Sequence, residues 1–372
     1  MAQDWGTPPW KIDFHPKVRP LPDRIDFAVI GGGFTGLSAA AWLRKLDPQK
    51  SVSLFEAAHL GAGASGRTGG MTLDETAGGA LPGLGNVLEG YEKILRDLEI
   101  ECDLQLPGAW EIGRKGGRRD SPIVWRDSGT LRVVKKVPGG TVDPGKQVSG
   151  LGRAARRLGA AIFENTPVRG IRWSDPMEIQ IPGRKILAEK VLLATNAEEL
   201  ELNSLDGRAE PKFTLAIATE ELGEQRWKEI GLPRHKSFYT VDLPYLWGRT
   251  LANGGMVWGA GLIHPKDWRE LASIDVKTGE AAEMFSKFER RVRGFHPALA
   301  NLQTTHRWGG PILFPEDWRP IFERHPRSQN AIVLAGYTGH GVALSVYLGK
   351  WAAEALLGRR KLPRWKRRRS KH

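Results

Sequence analysis

One stretch of this 372-residue chain admits very few folds. Residues 25–30 (IDFAVI) are a continuous apolar run, which reads as a strand buried on both faces. It feeds into Gly31-Gly32-Gly33-Phe34-Thr35-Gly36, a G-x-G-x-x-G turn. A helix-forming segment over residues 37–46 follows and is stopped by Asp47-Pro48. Residues 51–55 (SVSLF) make a second strand that ends on Glu56, twenty residues past Gly36. Each part has its own task. Gly31 permits the tight turn, Gly33 lets backbone approach a pyrophosphate, and Gly36 lets helix and strand pack closely. The helix N-terminus offers unpaired N–H groups to phosphate, and Glu56 is placed to accept from both ribose hydroxyls. Strand, turn, helix, strand and acid in this order predict a βαβ unit that binds a dinucleotide.

Which dinucleotide is decided by the next segment, Gly61-Ala62-Gly63-Ala64-Ser65-Gly66-Arg67-Thr68-Gly69-Gly70. Here the chain resembles the D-amino-acid oxidase superfamily of flavoproteins, whose members carry a G-A-S-G-R-x-G-G stretch in this place. The resemblance implies FAD, with this segment running along the pyrophosphate and ribityl chain toward the isoalloxazine ring. Small side chains at Gly63, Ala64 and Gly70 allow close passage, and Ser65, Arg67 and Thr68 supply hydrogen bonds. A second likeness lies at Gly336-Tyr337-Thr338-Gly339-His340-Gly341, a G-x-x-G-H-G turn that opens a helix against the flavin ring in family members. A positive helix end there would favour the reduced ring. Val168 stands where the family holds adenine through backbone contacts, and Thr195 lies in a strand end (ATN) that resembles the family's A-T-G.

Composition narrows the class further. Hydrophobic content of 40% suits an ordinary globular protein, and no apolar run is long enough for an integral membrane segment. The charged, proline-broken N-terminus lacks a signal-peptide core, and the single cysteine, Cys102, excludes an internal disulfide framework. A cytoplasmic location is expected. The net charge of +13 is concentrated at the end, where residues 359–372 hold nine Arg or Lys and no acid, leaving +4 for the rest. Such a run reads first as a solvated tail, with weak contact to a membrane surface or to RNA as alternatives. Trp365 within it suits a membrane interface.

The pattern of segments predicts an α/β (α+β) fold: a Rossmann-type FAD-binding domain with an inserted antiparallel-sheet substrate domain. Residues 1–22 read as an N-terminal arm. Residues 23–80, 140–209 and 325–358 form the discontinuous FAD-binding domain, 81–139 and 210–324 the substrate domain, and 359–372 the tail. The stretch Gly140-Thr141-Val142-Asp143-Pro144-Gly145-Lys146 mimics a Walker loop, but Gln147 stands where a magnesium-binding Ser or Thr belongs, so it is read as a helix start.

Flavin oxidation of an amine asks little acid–base work of the protein. The resemblance implies oxidation of a primary or secondary amine, polyamine-like or amino-acid-derived, to an imine by hydride transfer to flavin N5, with oxygen or another acceptor taking the electrons. Expected pocket residues are Tyr245, Arg249, His306, Trp308, Tyr337 and His340, while no single catalytic residue and no metal is indicated. Amino-acid oxidases of the family hold the substrate carboxylate with an arginine soon after a W-x-G segment, where this chain has Trp308-Gly309-Gly310-Pro311-Ile312. Either Arg249 takes over that role or the substrate lacks an adjacent carboxylate. The second reading fits the tryptophan- and proline-containing arm, Glu101-Cys102-Asp103 and the GHGVALS segment, which look like gamma-glutamylputrescine oxidoreductases and their relatives. Some family members attach flavin through a cysteine near the substrate sheet. None occurs over residues 300–345, so noncovalent FAD is expected. Two other readings are an RNA-modifying flavoenzyme acting on an alkylated amine of transfer RNA, and a non-catalytic flavin-bound module.

Overall fold

A computed structural model of the protein describes residues 4–365. The Arg24–Ile30 strand pairs in parallel with Val52–Phe55 on one side and Arg184–Leu193 on the other. Ala161–Phe163 adds beyond Val52–Phe55, and Ser328–Ala335 beyond Arg184–Leu193, both parallel. Ile321–His325 closes that edge antiparallel, and the hairpin strands Gly170–Arg172 and Met177–Ile181 hang from Arg184–Leu193. Parallel strands must be covered on both faces. Helix Phe34–Leu46 lies between Gly341–Leu356 and Pro144–Arg157 and covers one of them. It approaches the last helix closely enough for Ser38 Oγ to donate to Val346 O at 2.7 Å, and a Cβ on Gly349 would lie 2.6 Å from Thr35 O.

The second sheet has eight strands in the order Thr304–Pro315, Ala209–Thr219, Met256–Ile263, Trp247–Thr250, Ser237–Thr240, Ala109–Gly113, Thr130–Val137, Trp125–Arg126. Its pairs are antiparallel except Ser237–Thr240 with Ala109–Gly113. Helix Gly279–Gly294 packs on it. The centre of its core is aromatic: the fully buried Trp125 meets Phe238, Trp258 and Phe295 with ring centroids 5.0 to 6.2 Å apart, and its indole N–H donates to Ile230 O.

Two segments lie elsewhere than the sequence reading put them. Helix Val87–Asp97, expected with the substrate sheet, packs against Gly341–Leu356, because its buried Val87, Tyr91, Ile94 and Leu95 form one apolar stripe and Gly90 leaves room for the Tyr347 ring. Strand Ile321–His325 joins the first sheet through its turn into Ser328–Ala335. The N-terminal arm crosses both sheets: Trp5, Trp10 and Phe14 are buried, the Trp5 indole donates to Leu271 O and the Trp10 indole to Gly66 O.

The beginning of the basic tail is also folded on. Trp365 packs edge-on near Trp351 and against Phe322, and its N–H donates to Pro82 O at 3.1 Å. Its ring is therefore engaged within the fold, unlike the interfacial role its sequence setting suggested. Residues 366–372 lie outside the described residues. Among the described residues no helix is long and apolar enough to cross a membrane.

Because Trp125 fills the aromatic core and satisfies a buried carbonyl, W125A is expected to lower stability by about 3–5 kcal/mol, whereas W125F should lose less. Urea midpoints of the purified variants check this ranking.

Candidate active site: a cleft between two sheets

The turn after the first strand places backbone where phosphate chemistry needs it. Gly31 has φ +109°, and a Cβ there would lie 2.5 Å from Ala194 O. A Cβ on Gly36 would sit 2.0 Å from Gly31 O, and one on Gly33 2.8 Å from Ser65 Oγ. Hydrogen alone fits at Gly36, so helix Phe34–Leu46 starts directly over the strand end. Its N-cap, Gly33, supplies no side-chain cap, and no acid occupies the first turn. Ser65 Oγ accepts from Phe34 N at 2.9 Å, tying the second glycine-rich segment to the first.

Glu56 lies beside this turn. One carboxylate oxygen accepts from Gly32 N at 2.7 Å and the other from Ala58 N at 2.9 Å. Burial pushes its pKa up, while these two backbone donors pull it down. Nearby Glu198, which sequence reasoning missed, is pushed up to about 7 by burial and then by the Glu56 and Glu199 carboxylates, with Arg67 acting in the opposite sense. It follows the ATN strand end by two residues, and an acid in that position carried no recognisable pattern.

These groups line a continuous cleft that runs from Val168 and Glu56, past Gly33, Ser65 and Thr68, to Tyr245, Trp247, Trp308 and Ile312 under the second sheet. Beside the glycine turn, the helix Gly341–Leu356 also begins without a side-chain cap. Two uncapped helix ends thus meet one cleft. The Tyr337 hydroxyl and Thr35 Oγ1 are hydrogen-bonded at 2.6 Å, which joins the two junctions, and burial holds the phenol well above its ordinary pKa.

Of the expected cofactor residues, Gly31, Gly33, Phe34, Thr35, Glu56, Gly63, Ala64, Ser65, Arg67, Thr68, Val168, Thr195, Gly339 and Gly341 line the cleft. Gly36, Gly70, Gly336 and His340 are not among its lining residues. Gly336 N donates to Asn196 Oδ1, and the His340 ring contacts Thr338 O at 3.2 Å with its pKa lowered by burial. Of the expected substrate residues, Tyr245, Trp308 and Tyr337 line the cleft, whereas Arg249, His306 and His340 do not. His306 is partly exposed beside Thr305, and Arg249 is buried behind Gly69. Trp247, also missed from sequence, takes a central place: a Cβ on Gly69 or on Gly259 would lie within 2.0 Å of its ring. Trp5 of the arm and Leu271 complete the wall.

The cleft fits FAD by its own chemistry. Phosphates would meet the free N–H groups of helix Phe34–Leu46, and the ribose would meet Glu56. At the other helix start the Thr338 and Ser345 hydroxyls line the cleft, buried and without protein partners, which leaves donors for the polar edge of a flavin ring. The only cysteine, Cys102, is buried away from the cleft, so no thiol stands there to bond FAD.

Two expectations follow. In G36A the methyl group would displace the turn carbonyl, so FAD retention should fall at least tenfold in equilibrium dialysis, while G294A, outside the cleft and with nothing within 4 Å of its Cβ, stays near wild type. Glu198 titrates higher in the fold than in the unfolded chain, so the native state binds more protons between the ordinary glutamate value of 4.5 and about 7. Stability of the flavin-free protein should therefore fall as pH rises through that window, and E198Q should flatten the fall. Thermal melts at successive pH values read it directly.

Comparison with known proteins agrees with this geometry. The gamma-glutamylputrescine oxidoreductase of Escherichia coli K12 is 26% identical over 378 residues, covering 90% of this chain and 84% of that protein. A glycine oxidase of Bacillus licheniformis is 24% identical, covering 90% and 94%. Among solved structures, glycine oxidase from Geobacillus kaustophilus superposes with a TM-score of 0.71 at 19% identity, covering 91% of this chain and 96% of that one. Iminodiacetate oxidase from Chelativorans sp. BNC1 gives 0.68 at 18%, covering 89% and 95%. At those identities the structures establish a shared fold. The model of the DAO family, described as FAD dependent oxidoreductase, matches residues 26–355, and with nearly the whole chain inside that match the protein belongs to this family of FAD-dependent oxidoreductases.

Proposed function

We propose that the protein oxidises the C–N bond of a primary or secondary amine that bears no carboxylate on the reacting carbon. The observation that carries this reading is Ile312. It lines the cleft four residues after Trp308, in the region where family members that handle amino acids are expected to present an arginine. An aliphatic side chain offers a carboxylate no compensation for its lost hydration. Relatives named for gamma-glutamylputrescine and for 4-methylaminobutanoate, whose reacting amines stand apart from a carboxylate, support the same substrate class.

When bound, FAD supplies the two-electron acceptor, its N5 taking the hydride equivalent that the amine carbon gives up. The chain's own part is binding and enclosure. Tyr245, Trp247, Trp308 and Tyr337 provide aromatic walls that suit a neutral amine and its alkyl chain. The acids that line the cleft, Glu56, Glu198 and Glu199, lie toward its nucleotide end, so none is assigned as base and the amine reacts after losing its proton to water. The final electron acceptor would be oxygen or another oxidant.

Anaerobic addition of substrates to the yellow holoenzyme tests the assignment. Simple amines, N-alkyl amines and polyamine derivatives should bleach the visible flavin band, and α-amino acids should not. Rapid bleaching by glycine or proline with no response to amines would refute it. I312R should weaken amine turnover and allow amino-acid binding, read as perturbation of the flavin spectrum by a non-reacting carboxylate.

A further inference from the structure

Arg249 is the least expected charge in the molecule. It lies on strand Trp247–Thr250, on the same face as Trp247, and is 6% exposed. Its Nε donates to Gly69 O, and Nη1 makes a long contact of 3.4 Å with Thr250 O. The Trp10 ring covers the guanidinium at 5.8 Å, and Nη2 stands 3.1 Å from where a Cβ of Gly70 would be. Among the described residues no carboxylate pairs with it. The acids that act on it from further away are both occupied: Asp143 accepts from Lys146 N at a helix start, and Asp103 pairs with Lys146 Nζ at 2.8 Å. Burial without a counterion lowers its pKa to about 10, which still leaves it charged at neutral pH.

A buried, unpaired cation is costly to fold around. If its task were only to hold the Gly69–Gly70 turn, a neutral donor would satisfy one carbonyl at lower cost. Its position suggests another task. Gly69 lines the cleft beneath Trp247, and Arg249 stands directly behind that glycine. It is thus screened from substrate but separated from the reacting end by a single peptide unit. A cation bound to that peptide's carbonyl polarises the unit and holds a fixed positive potential through a medium with little water to screen it.

We propose that Arg249 is a positioning residue that sets the electron affinity of the bound flavin: its charge, applied through the Gly69–Gly70 peptide, favours the negatively charged reduced ring. The proposal rests on FAD occupying the cleft, and it needs no particular amine.

The test uses holoenzyme and no amine. Sulfite adds to an oxidised flavin and leaves the ring negatively charged, so its affinity reports the local potential. R249M, which removes the charge, should raise the sulfite dissociation constant at least tenfold and lower the two-electron midpoint potential, where each tenfold corresponds to about 30 mV. R249K, which keeps a charge, should stay within about threefold of wild type on the scale of that expected loss. Should R249M yield no folded flavoprotein, R249Q keeps a donor for Gly69 and replaces it. Unchanged sulfite affinity and potential in the neutral variant, or equal losses in R249K and R249M, would overturn the proposal. A wild-type holoenzyme with no measurable sulfite affinity would overturn it without any variant. Because sulfite and dye titrations bypass the substrate, failure here is separate from failure of the amine panel.

Discussion

The contact on which the site depends is the one between Gly36 and the carbonyl of Gly31. With only a hydrogen at Gly36, the first helix turns up immediately from the end of the buried strand, and its unpaired N–H groups open onto the cleft. A parallel sheet repeats this geometry wherever a strand delivers the chain to a helix at its carboxyl end. The last strand and last helix do so here: Gly336, at φ +77°, turns the chain from Ser328–Ala335 toward Gly341, and its N–H is held by the Asn196 side chain. Two helices therefore turn their positive poles to one cleft, one placed to meet phosphates and one to meet a flavin ring. The hydroxyl pair of Thr35 and Tyr337 fixes the distance between these poles.

The nucleotide half of the site was legible because its parts are close in sequence and each has a steric reason. The glycine spacing, the distance to Glu56 and the small-residue segment from Gly61 to Gly70 constrain one another locally. The substrate half was not, because its walls come from segments hundreds of residues apart and depend on strand register. Trp247 and Arg249 share one face of a four-residue strand, and nothing in YLWGRT says which one reaches the cleft. The answer lies in glycines elsewhere: Gly69 and Gly259 leave a slot that the Trp247 ring fills, so Arg249 falls behind the wall. His306 and Trp308 likewise share a strand face, but two residues carry His306 out to the partly exposed end while Trp308 reaches under the arm and donates to Arg67 O. Alternation fixes faces, whereas reach along a strand is set by the partner.

Ile312 and Glu198 illustrate the two ways a familiar scaffold acquires its own chemistry. Ile312 puts an aliphatic side chain on the cleft wall, which under the proposed reading leaves selectivity to shape and aromatic contact. Glu198 adds an acid at the nucleotide end, where burial first and then its neighbours Glu56 and Glu199 make ionisation unfavourable. A phosphate-bearing ligand placed among such carboxyls is tolerated only if their charge is matched, by helix N–H groups or by a cation. Arg67 is a cation that the fold supplies beside Glu198.

Arg67 also explains why local motif and competent site are different things. Its Nε donates to Ala62 O within the glycine-rich segment, its Nη1 to Gly6 O of the arm at 2.8 Å, and a longer contact reaches Gly309 O of the second sheet. Its guanidinium also lies against the Trp5 ring. One side chain thus joins the cofactor segment, the N-terminal arm and the substrate sheet, and charge-assisted bonds to carbonyls are strong enough to hold that junction. The arm is bound to the same place from its other side, since Gly309 N donates to Trp5 O at 2.8 Å and the Trp10 indole donates to Gly66 O at 2.7 Å. The glycine motif alone would present phosphate donors to solvent. What converts it into an enclosed redox site is this convergence of three distant segments on Arg67, a condition on the whole chain that no window of sequence contains.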